Sequence, residues 1–363
     1  MRQLLFTGFA AAGAFMMHAA AGAGPLPPSP RAGPPPAPAL VIAHRGASVD
    51  RPEHTLAAYA LAIEQGADVI EPDLVPTRDH QLVARHENEI SETTDVADHP
   101  EFSDRKRTQT IDGVTMTGWF TEDFTLAELK TLRARERLPA LRSANAAFDG
   151  QFEIPTLDEI IALAKAEHAR TGRPIGIYPE TKHPSHFARI GLAIEPKLLA
   201  ALATVGWTRA EDPVFIQSFE VHNLKALRAQ TGVRLVQLIG EGRSADGHDY
   251  AAMTTPDGLA AIKAYADAIA PSRDLIYPRD AQGRLGTLTS LVEDAHRAGL
   301  EVHAWTFRPE NLHLAQPYRT SEDPRARGDA EGEIRLYLEA GIDGLFSDSP
   351  AAAVAALARP RED

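Results

Sequence analysis

Hydrophobic residues along the chain fall into short runs that alternate with stretches of helical spacing. Residues 40–43 form an apolar run, residues 55–65 carry apolar positions at helical spacing, and Gly66 marks a turn before the next run at Val69. The same alternation continues towards the C-terminus. The eight runs that predict strands begin at Leu40, Val69, Ile175, Val214, Arg234, Ala268, Glu301 and Gly344.

Strands that alternate with helices predict a parallel sheet. The predicted helices cover residues 55–65, 190–205, 221–230, 257–265, 288–298, 333–340 and 351–357. Eight such units that close on themselves form a (β/α)₈ TIM barrel, an α/β fold, and this is the fold that we predict. The alternative is an open doubly wound sheet. Against it, no G-x-G-x-x-G turn follows the first strand, and polar candidates end many different strands, as a barrel site requires.

The chain is longer than a minimal barrel, so we expect insertions in the loops that follow the strands. The largest predicted insertion covers about residues 88–152. Its first part, residues 92–116, is polar and irregular, and a short helix is predicted at residues 126–133. A second polar excursion covers residues 309–332. We expect the first insertion to form a cap beside the site, although a purely structural cap has the same pattern.

The N-terminal part of the chain has a different composition. Residues 1–23 have the pattern of a secretory signal peptide: Arg2, then an apolar stretch, then small residues at 21–23. Prolines dominate residues 24–38, which predicts a stiff disordered linker before a barrel domain at residues 39–358. The alternative is an uncleaved membrane anchor, which the glycines and the following prolines disfavour. The expected location is periplasmic or secreted, with no stable membrane association after cleavage.

Charge and cysteine content exclude several classes of site. The formal net charge is −13, which disfavours binding of nucleic acid through the phosphate backbone. The basic cluster of Arg133, Arg135 and Arg137 is interleaved with acids, as is the run at residues 105–107, and both are predicted to be solvated faces. The chain has no cysteine, so disulfides and thiolate metal sites are excluded.

Two carboxylates in the second predicted strand point to a cation site. Glu71 and Asp73 are two residues apart, so both side chains lie on one face of the strand and can share one ion. A rim salt bridge is the alternative for such a pair. Nearby His44 and His86 can take and give protons near neutral pH, although single histidines at strand ends are often structural.

Several short motifs then occur in one order along the chain. They are His44-Arg45-Gly46, Pro52-Glu53-His54-Thr55, Glu71-x-Asp73, His86, Tyr178-Pro-Glu-Thr-Lys182, Trp305-Thr306 and Phe346-Ser-Asp348-Ser-Pro350. In these motifs the chain resembles the glycerophosphodiester phosphodiesterase family, and within it the exported bacterial type. Two positions depart from the family pattern. His54 stands where the family usually has Asn, and Glu87 follows His86 where the family usually has Asp.

The resemblance implies hydrolysis of glycerophosphodiesters, which are deacylated phospholipid head groups, to glycerol 3-phosphate and an alcohol. It implies His44 and His86 as catalytic base and acid, and one divalent cation, with Ca²⁺ favoured over Mg²⁺. The remaining roles that it implies are a cation site at Glu71, Asp73 and Glu180, substrate or phosphate contacts at Arg45, Lys182 and Trp305, and supporting positions at Glu53 and Glu87. Weaker candidates are Tyr178, Gln217 and Asp348, and His303 is expected to face the barrel interior with Trp305.

Two other functions remain open at this point. A related barrel phospholipase could act on lyso-phospholipids, which would favour an apolar rim or a membrane-binding helix, and no strongly basic amphipathic helix is evident in the sequence. An exported binding protein could keep the pocket without turnover, although it would not need a pair of proton carriers. The expected partner in the favoured interpretation is a small-molecule glycerophosphodiester, not a nucleic acid.

Overall fold

The computed structural model describes residues 38–358, and the domain that they form is the subject of all that follows. The predicted signal peptide and nearly all of the predicted proline-rich linker lie outside these residues. The strands are β1 (Leu40–His44), β2 (Val69–Glu71), β3 (Asp73–Pro76), β4 (Leu82–Ala84), β5 (Arg107–Ile111), β6 (Val114–Gly118), β7 (Gly176–Ile177), β8 (Glu180–Thr181), β9 (Phe215–Ser218), β10 (Arg234–Ile239), β11 (Ala268–Pro271), β12 (Glu301–Phe307) and β13 (Gly344–Ser347). The α-helices are α1 (Leu56–Glu64), α2 (Leu126–Leu129), α3 (Leu157–Thr171), α4 (Pro184–Arg189), α5 (Glu195–Thr204), α6 (Val221–Arg228), α7 (Tyr250–Met253), α8 (Pro256–Lys263), α9 (Leu291–Arg297), α10 (Ala330–Glu339) and α11 (Pro350–Ala358).

The parallel strands close into a barrel, as the sequence predicts. β1 pairs with β13 on one side and β2 on the other. β2 pairs with β7, its continuation β3 pairs with β8, and the ladder then runs through β9, β10, β11 and β12 back to β13. Prolines interrupt two barrel strands, because Pro72 separates β2 from β3 and Pro179 separates β7 from β8, and proline has no N–H to donate. The two interrupted strands still hydrogen bond to each other at this point, because Glu180 N–H donates to the Pro72 carbonyl at 2.9 Å.

Several elements differ from the sequence prediction, and α7 is among those that were not predicted. α3 was not predicted, although Thr156 and Glu159 form a capping box at its start and Gly172, with φ 71°, ends it. The predicted helix at residues 190–205 is instead α4 and α5, separated at Gly191, whose φ is 79°. The segment predicted to be irregular contains the antiparallel hairpin of β5 and β6.

The interior of the barrel is packed with buried side chains. Tyr178, Phe215 and Phe346 stack or meet edge to face there, and His303 is fully buried among them with its Nδ1 2.7 Å from the Tyr178 hydroxyl. His303 is thus a hydrogen-bonded core histidine, and Tyr178 is a core residue as well. Because this layer closes the barrel from within, any site must lie at the carboxyl ends of the strands, as in other barrels of this kind.

Candidate active site

Three carboxylates converge at the carboxyl ends of two neighbouring barrel strands. Glu71 ends β2, while Asp73 and Glu180 are Cα partners at the start of β3 and β8. One oxygen from each of the three lies within 4.8 Å of the others, and all three residues are buried. Burial, with the charges of Asp73 and Glu180, raises the pKa of Glu71 well above its usual range. Such a cluster of like charges favours a bound cation with oxygen ligands.

Two cationic side chains lie against this cluster. Arg45 donates its backbone N–H to Glu71 Oε2 at 2.9 Å, and its guanidinium Nε lies 3.4 Å from Asp73 Oδ2. The Lys182 ammonium lies 2.9 Å from Glu180 Oε1 and 4.0 Å from Asp73 Oδ1. Burial lowers the Lys182 pKa, but Glu180 and Asp73 outweigh it and the pKa is raised, so this lysine stays charged.

The turn after β1 aims Arg45 into the site. Arg45 has φ 60° and Gly46 has φ 89°, both in the left-handed region. A Cβ on Gly46 would lie 2.7 Å from the backbone of Ala58 in α1, so only glycine fits there. Steric contact with Ala58 therefore explains why the third residue of the His-Arg-Gly motif is glycine. The tight turn also points the Arg45 backbone N–H at Glu71.

His44 is held by a buried carboxylate from the far end of the chain. Its Nδ1 lies 2.6 Å from Asp348 Oδ1, and Asp348 Oδ2 accepts from Arg142 at 2.6 Å and from Arg308 at 3.0 Å. Burial, with the charge of Arg45, lowers the pKa of His44 to about 4, so the ring is neutral at pH 7. The Asp348 pKa stays well below its usual range because Arg308 and Arg142 outweigh the effect of burial. A neutral His44 therefore donates from Nδ1 and leaves Nε2 free to accept.

His86 has a comparable partner in the next residue. Its Nδ1 hydrogen bonds to Glu87 Oε1, so the longer glutamate side chain does fold back onto the ring. Arg137 in turn donates to Glu87 Oε2 at 2.6 Å. Burial, with the charges of Arg45 and Lys182, lowers the pKa of His86 to about 3. Glu87 has a pKa below its usual range, because the bonds to His86 and Arg137 outweigh burial.

Arg137 corrects one prediction from the sequence. It was expected on a solvated face, yet its guanidinium bridges Glu87 and Glu53, with bonds of 2.9 and 2.7 Å to the two Glu53 oxygens. Glu53 also accepts from Arg45 at 3.1 Å. Glu53 is thus an acceptor for two arginines, and within residues 38–358 its carboxylate hydrogen bonds to no histidine. By contrast, Arg135 is part-exposed and pairs with Asp98 outside the site.

His54, the first departure from the family pattern, lies directly behind the carboxylate cluster. It is fully buried, with Nε2 2.8 Å from Asp73 Oδ2 and Nδ1 2.7 Å from the Tyr59 hydroxyl. Its φ of 54° makes it one of the few left-handed residues in the described chain other than glycine. The ring therefore orients Asp73.

The three carboxylates, both histidines, Arg45 and Lys182 line one solvent-open pocket of about 450 Å³. It brings together His44, Arg45, Glu71, Asp73, His86, Glu180, Lys182, Gln217, Phe219, Leu238, Trp305, Thr306, Arg308 and Phe346. Gln217 donates to Glu71 Oε1 at 3.0 Å. Trp305 forms an apolar wall, fixed by its indole N–H on the Ala270 carbonyl at 2.8 Å and by an edge contact with Phe219.

Sequence reasoning missed Arg137, Arg142 and Arg308. The first two lie in the predicted insertion, and Arg142 also donates to Glu310 at 2.7 Å and to the Ser48 carbonyl at 3.0 Å. No local pattern marks them, because the carboxylates that they pair with are 40 to 206 residues away in the chain. The only signal that could have suggested them is that the predicted buried carboxylates outnumber the cations predicted beside them, and each buried carboxylate needs a cationic partner.

Comparison with known proteins places the chain in a family. It matches the model of the glycerophosphoryl diester phosphodiesterase family over residues 44–352. Glycerophosphodiester phosphodiesterase GDPD6 of Arabidopsis thaliana is 38% identical over 323 residues, which cover 85% of this chain and 82% of the plant protein. A glycerophosphodiester phosphodiesterase of Haemophilus influenzae is 30% identical over 337 residues, which cover 86% of this chain and 87% of that protein.

Solved structures share the barrel. A glycerophosphodiester phosphodiesterase from Agrobacterium tumefaciens superposes with a TM-score of 0.54 at 20% identity, covering 87% of this chain and 99% of the other. A phosphodiesterase from Oleispira antarctica, in complex with the product sn-glycerol-3-phosphate, superposes with a TM-score of 0.54 at 22% identity, covering 89% and 98%. The relatives include plant and bacterial proteins, so they do not assign the exported bacterial type. Because a family model matches most of its length and relatives of 30% and 38% identity span most of it, the chain belongs to the glycerophosphoryl diester phosphodiesterase family.

Proposed function

We propose that this protein hydrolyses glycerophosphodiesters to glycerol 3-phosphate and an alcohol. The observation that carries the proposal is one pocket lined by three buried carboxylates, three cationic side chains and two histidines. Each histidine is fixed through a hydrogen bond at Nδ1. A phosphodiester needs its anionic charge balanced and protons moved on and off two oxygens, and the pocket has groups for each task. The relatives' names and the product bound in the Oleispira antarctica enzyme support the same chemistry.

The carboxylates fit a divalent cation. Glu71, Asp73 and Glu180 offer only oxygen, and burial raises the pKa of Glu180 to about 8 even against the opposing charge of Lys182, so the cluster is short of positive charge. Oxygen ligands suit Ca²⁺ and Mg²⁺ better than Zn²⁺, and we favour Ca²⁺ on the resemblance to exported enzymes. When bound, such an ion would offset charge on a phosphoryl oxygen and lower the pKa of a neighbouring hydroxyl.

His44 is the proposed general base. Its Nδ1–H is committed to Asp348, so the lone pair on Nε2 is available to take a proton. Because the pKa is lowered to about 4, the ring is neutral at pH 7 and Nε2 carries no proton before the reaction. Arg142 and Arg308 keep Asp348 ionised, which holds His44 in this tautomer.

His86 is the proposed general acid. Glu87 holds Nδ1, so Nε2 is the atom that gives a proton to the leaving alcohol. The ring is neutral in the free protein, and the negative charge of a bound phosphodiester favours its protonated form. After the alcohol leaves, the two histidines exchange roles as water enters.

The nucleophile in this proposal is the glycerol 2-hydroxyl. A hydroxyl on the carbon next to the ester is already close to phosphorus, so attack gives a cyclic phosphate without a separate encounter with water. Arg45 and Lys182 would hold the phosphoryl oxygens, and Trp305 would contact the glycerol carbons. A second pocket of about 820 Å³ shares Glu180, Lys182 and Phe219 with the first and gives room for the leaving alcohol.

The remaining expectations concern location. We propose that the protein is exported to the periplasm or secreted, on the signal-like pattern of residues 1–23, and that the leader is removed. N-terminal sequencing of the mature protein tests this: a start at residue 1 would contradict it. Within residues 38–358, no helix is long and apolar enough to span a membrane.

A release assay tests the function. Choline and glycerol 3-phosphate should appear from glycerophosphocholine, while lyso-phosphatidylcholine should turn over far more slowly; the reverse preference would indicate a phospholipase. Binding of glycerophosphocholine without release would indicate a binding protein. An analogue that lacks the 2-hydroxyl should bind yet not react, and turnover of that analogue at a similar rate would identify water as the nucleophile.

A further inference from the structure

A second cluster of metal-ligand side chains lies outside the catalytic pocket. His222 is in the first turn of α6, which follows β9, and Asp246 and His248 lie in the loop that follows β10. One ligand atom from each of the three lies within 4.8 Å of the others. Neither the chemistry proposed above nor the family motifs use these residues.

The three side chains already face one another. His222 Nδ1 lies 3.1 Å from Asp246 Oδ2, and His248 Nδ1 lies 3.2 Å from Asp246 Oδ1. Two ligands of a tetrahedral zinc ion, each about 2.0–2.1 Å from it, are about 3.3–3.5 Å apart. The two observed separations, each to a different Asp246 oxygen, are close to this value, so both rings already lie about as far from the carboxylate as ligands of one ion would.

The carboxylate is held from behind, and the rings are open to solvent. Asp246 accepts from the Ser244 hydroxyl at 2.5 Å and from the His222 backbone N–H at 3.0 Å, and its side chain is only 5% exposed. The His222 side chain is 73% exposed and that of His248 is 35% exposed. An ion can therefore reach a carboxylate that is fixed by neighbouring donors, as the ligands of metal sites commonly are.

The ligand chemistry differs from that of the catalytic cluster. Glu71, Asp73 and Glu180 offer only oxygens, whereas this cluster offers two imidazole nitrogens and one carboxylate. Imidazole suits zinc and other late transition metals, while oxygen ligands alone suit calcium and magnesium. From this geometry we infer that His222, Asp246 and His248 form a second metal site, which binds one transition-metal ion of the Zn²⁺ type and leaves a coordination position open to solvent.

Such an ion would join two loops at the catalytic face of the barrel. Ser244, which supports Asp246, and Glu220, which precedes α6, both line the 820 Å³ pocket next to the catalytic one. A bound ion would therefore tie the wall of that pocket to α6 and stabilise the folded protein by mass action.

Zinc titration by calorimetry, with Ca²⁺ in excess, tests the inference on the untagged protein. The variants are His222→Ala, His248→Ala and Asp246→Asn, and the last can still accept the bond that caps α6. His296→Ala is the matched control, because His296 is part-exposed and pairs with one carboxylate, that of Asp343, at 2.7 Å. Zinc bound at the catalytic carboxylates would be common to all these proteins.

The three variants should each lose one zinc equivalent, or bind it at least about 10-fold more weakly, while the control binds like wild type. Zinc should also raise the melting temperature of wild type and the control more than that of the variants. Circular dichroism checks that each variant is folded. Zinc binding by His222→Ala and His248→Ala that equals wild type, or no transition-metal site in wild type, would overturn the inference.

Discussion

Replacement of Asp348 by Asn tests how His44 is prepared as a base. In the wild type, Asp348 Oδ2 accepts from Arg142 and Arg308, and Oδ1 accepts from His44 Nδ1. An asparagine has one oxygen, and two arginines compete for it, so the amide NH₂ must face His44. The His44 Nδ1 would then accept, which forces its proton onto Nε2 and removes the lone pair that the reaction needs.

The expected loss of rate in Asp348→Asn follows from the role of His44 as a general base. A general base contributes about 10²–10⁴ in rate, so Asp348→Asn should lower kcat by this factor, or about 2.7–5.4 kcal/mol of transition-state stabilisation. KM should change little, because Asp348 is absent from the lining of the catalytic pocket. The variant should also melt at a lower temperature, because the buried Arg142 and the part-buried Arg308 lose the negative charge that they share.

Choline release from glycerophosphocholine at 25 °C, on protein shown to be folded by circular dichroism, gives kcat and KM. His44→Ala sets the lower limit, and the double variant should be no slower than His44→Ala alone if both changes act on one base. A folded Asp348→Asn protein within a few-fold of wild type would refute the tautomer argument. A fully additive double variant would show that Asp348 acts on something other than His44.

Two further predictions concern the insertion. Arg137→Met should lower turnover by about 10–100-fold, because Glu53 and Glu87 lose the cation that bridges them. Arg135→Met, at a part-exposed position outside the site, should stay within about twofold, and equal effects of the two changes would contradict the assignment. Burial raises the pKa of Glu136 to about 7, so the folded state binds the proton more tightly than the unfolded state and wild-type stability should fall as pH rises from about 4.5 to about 7. Urea unfolding at pH 8 should show Glu136→Gln more stable than wild type, by up to about 3 kcal/mol in the free energy of unfolding. This difference should vanish near pH 4, and a difference that does not depend on pH would contradict the prediction.

The barrel could be predicted because each of its strands has a local signal. Buried parallel strands are short apolar runs, and the loops that follow them carry polar residues, so both the order of strands and the positions of His44, Glu71 and Glu180 can be found from the sequence. α3 was not predicted, because it directly follows the long polar insertion, although its capping box is present in the sequence.

The residues that hold the catalytic side chains in place could not be predicted in the same way. His44 and Asp348 are 304 residues apart, and Arg137 reaches Glu53 across 84 residues. Such pairs depend on closure of the barrel and on the path of the insertion across its mouth, and neither has a local pattern. The alternation of charges around Arg137 instead resembles that of an ordinary solvated surface.

The most direct test of the central proposal is turnover of glycerophosphocholine after exhaustive chelation. Because Glu71, Asp73 and Glu180 are buried together and have one oxygen each within 4.8 Å, removal of the proposed cation should abolish product release. Ca²⁺ alone should restore it, and Mg²⁺ should restore less. Ca²⁺ should also raise the melting temperature of wild type but not of Glu71→Ala. Undiminished turnover by the chelated protein would contradict the proposed role of these carboxylates.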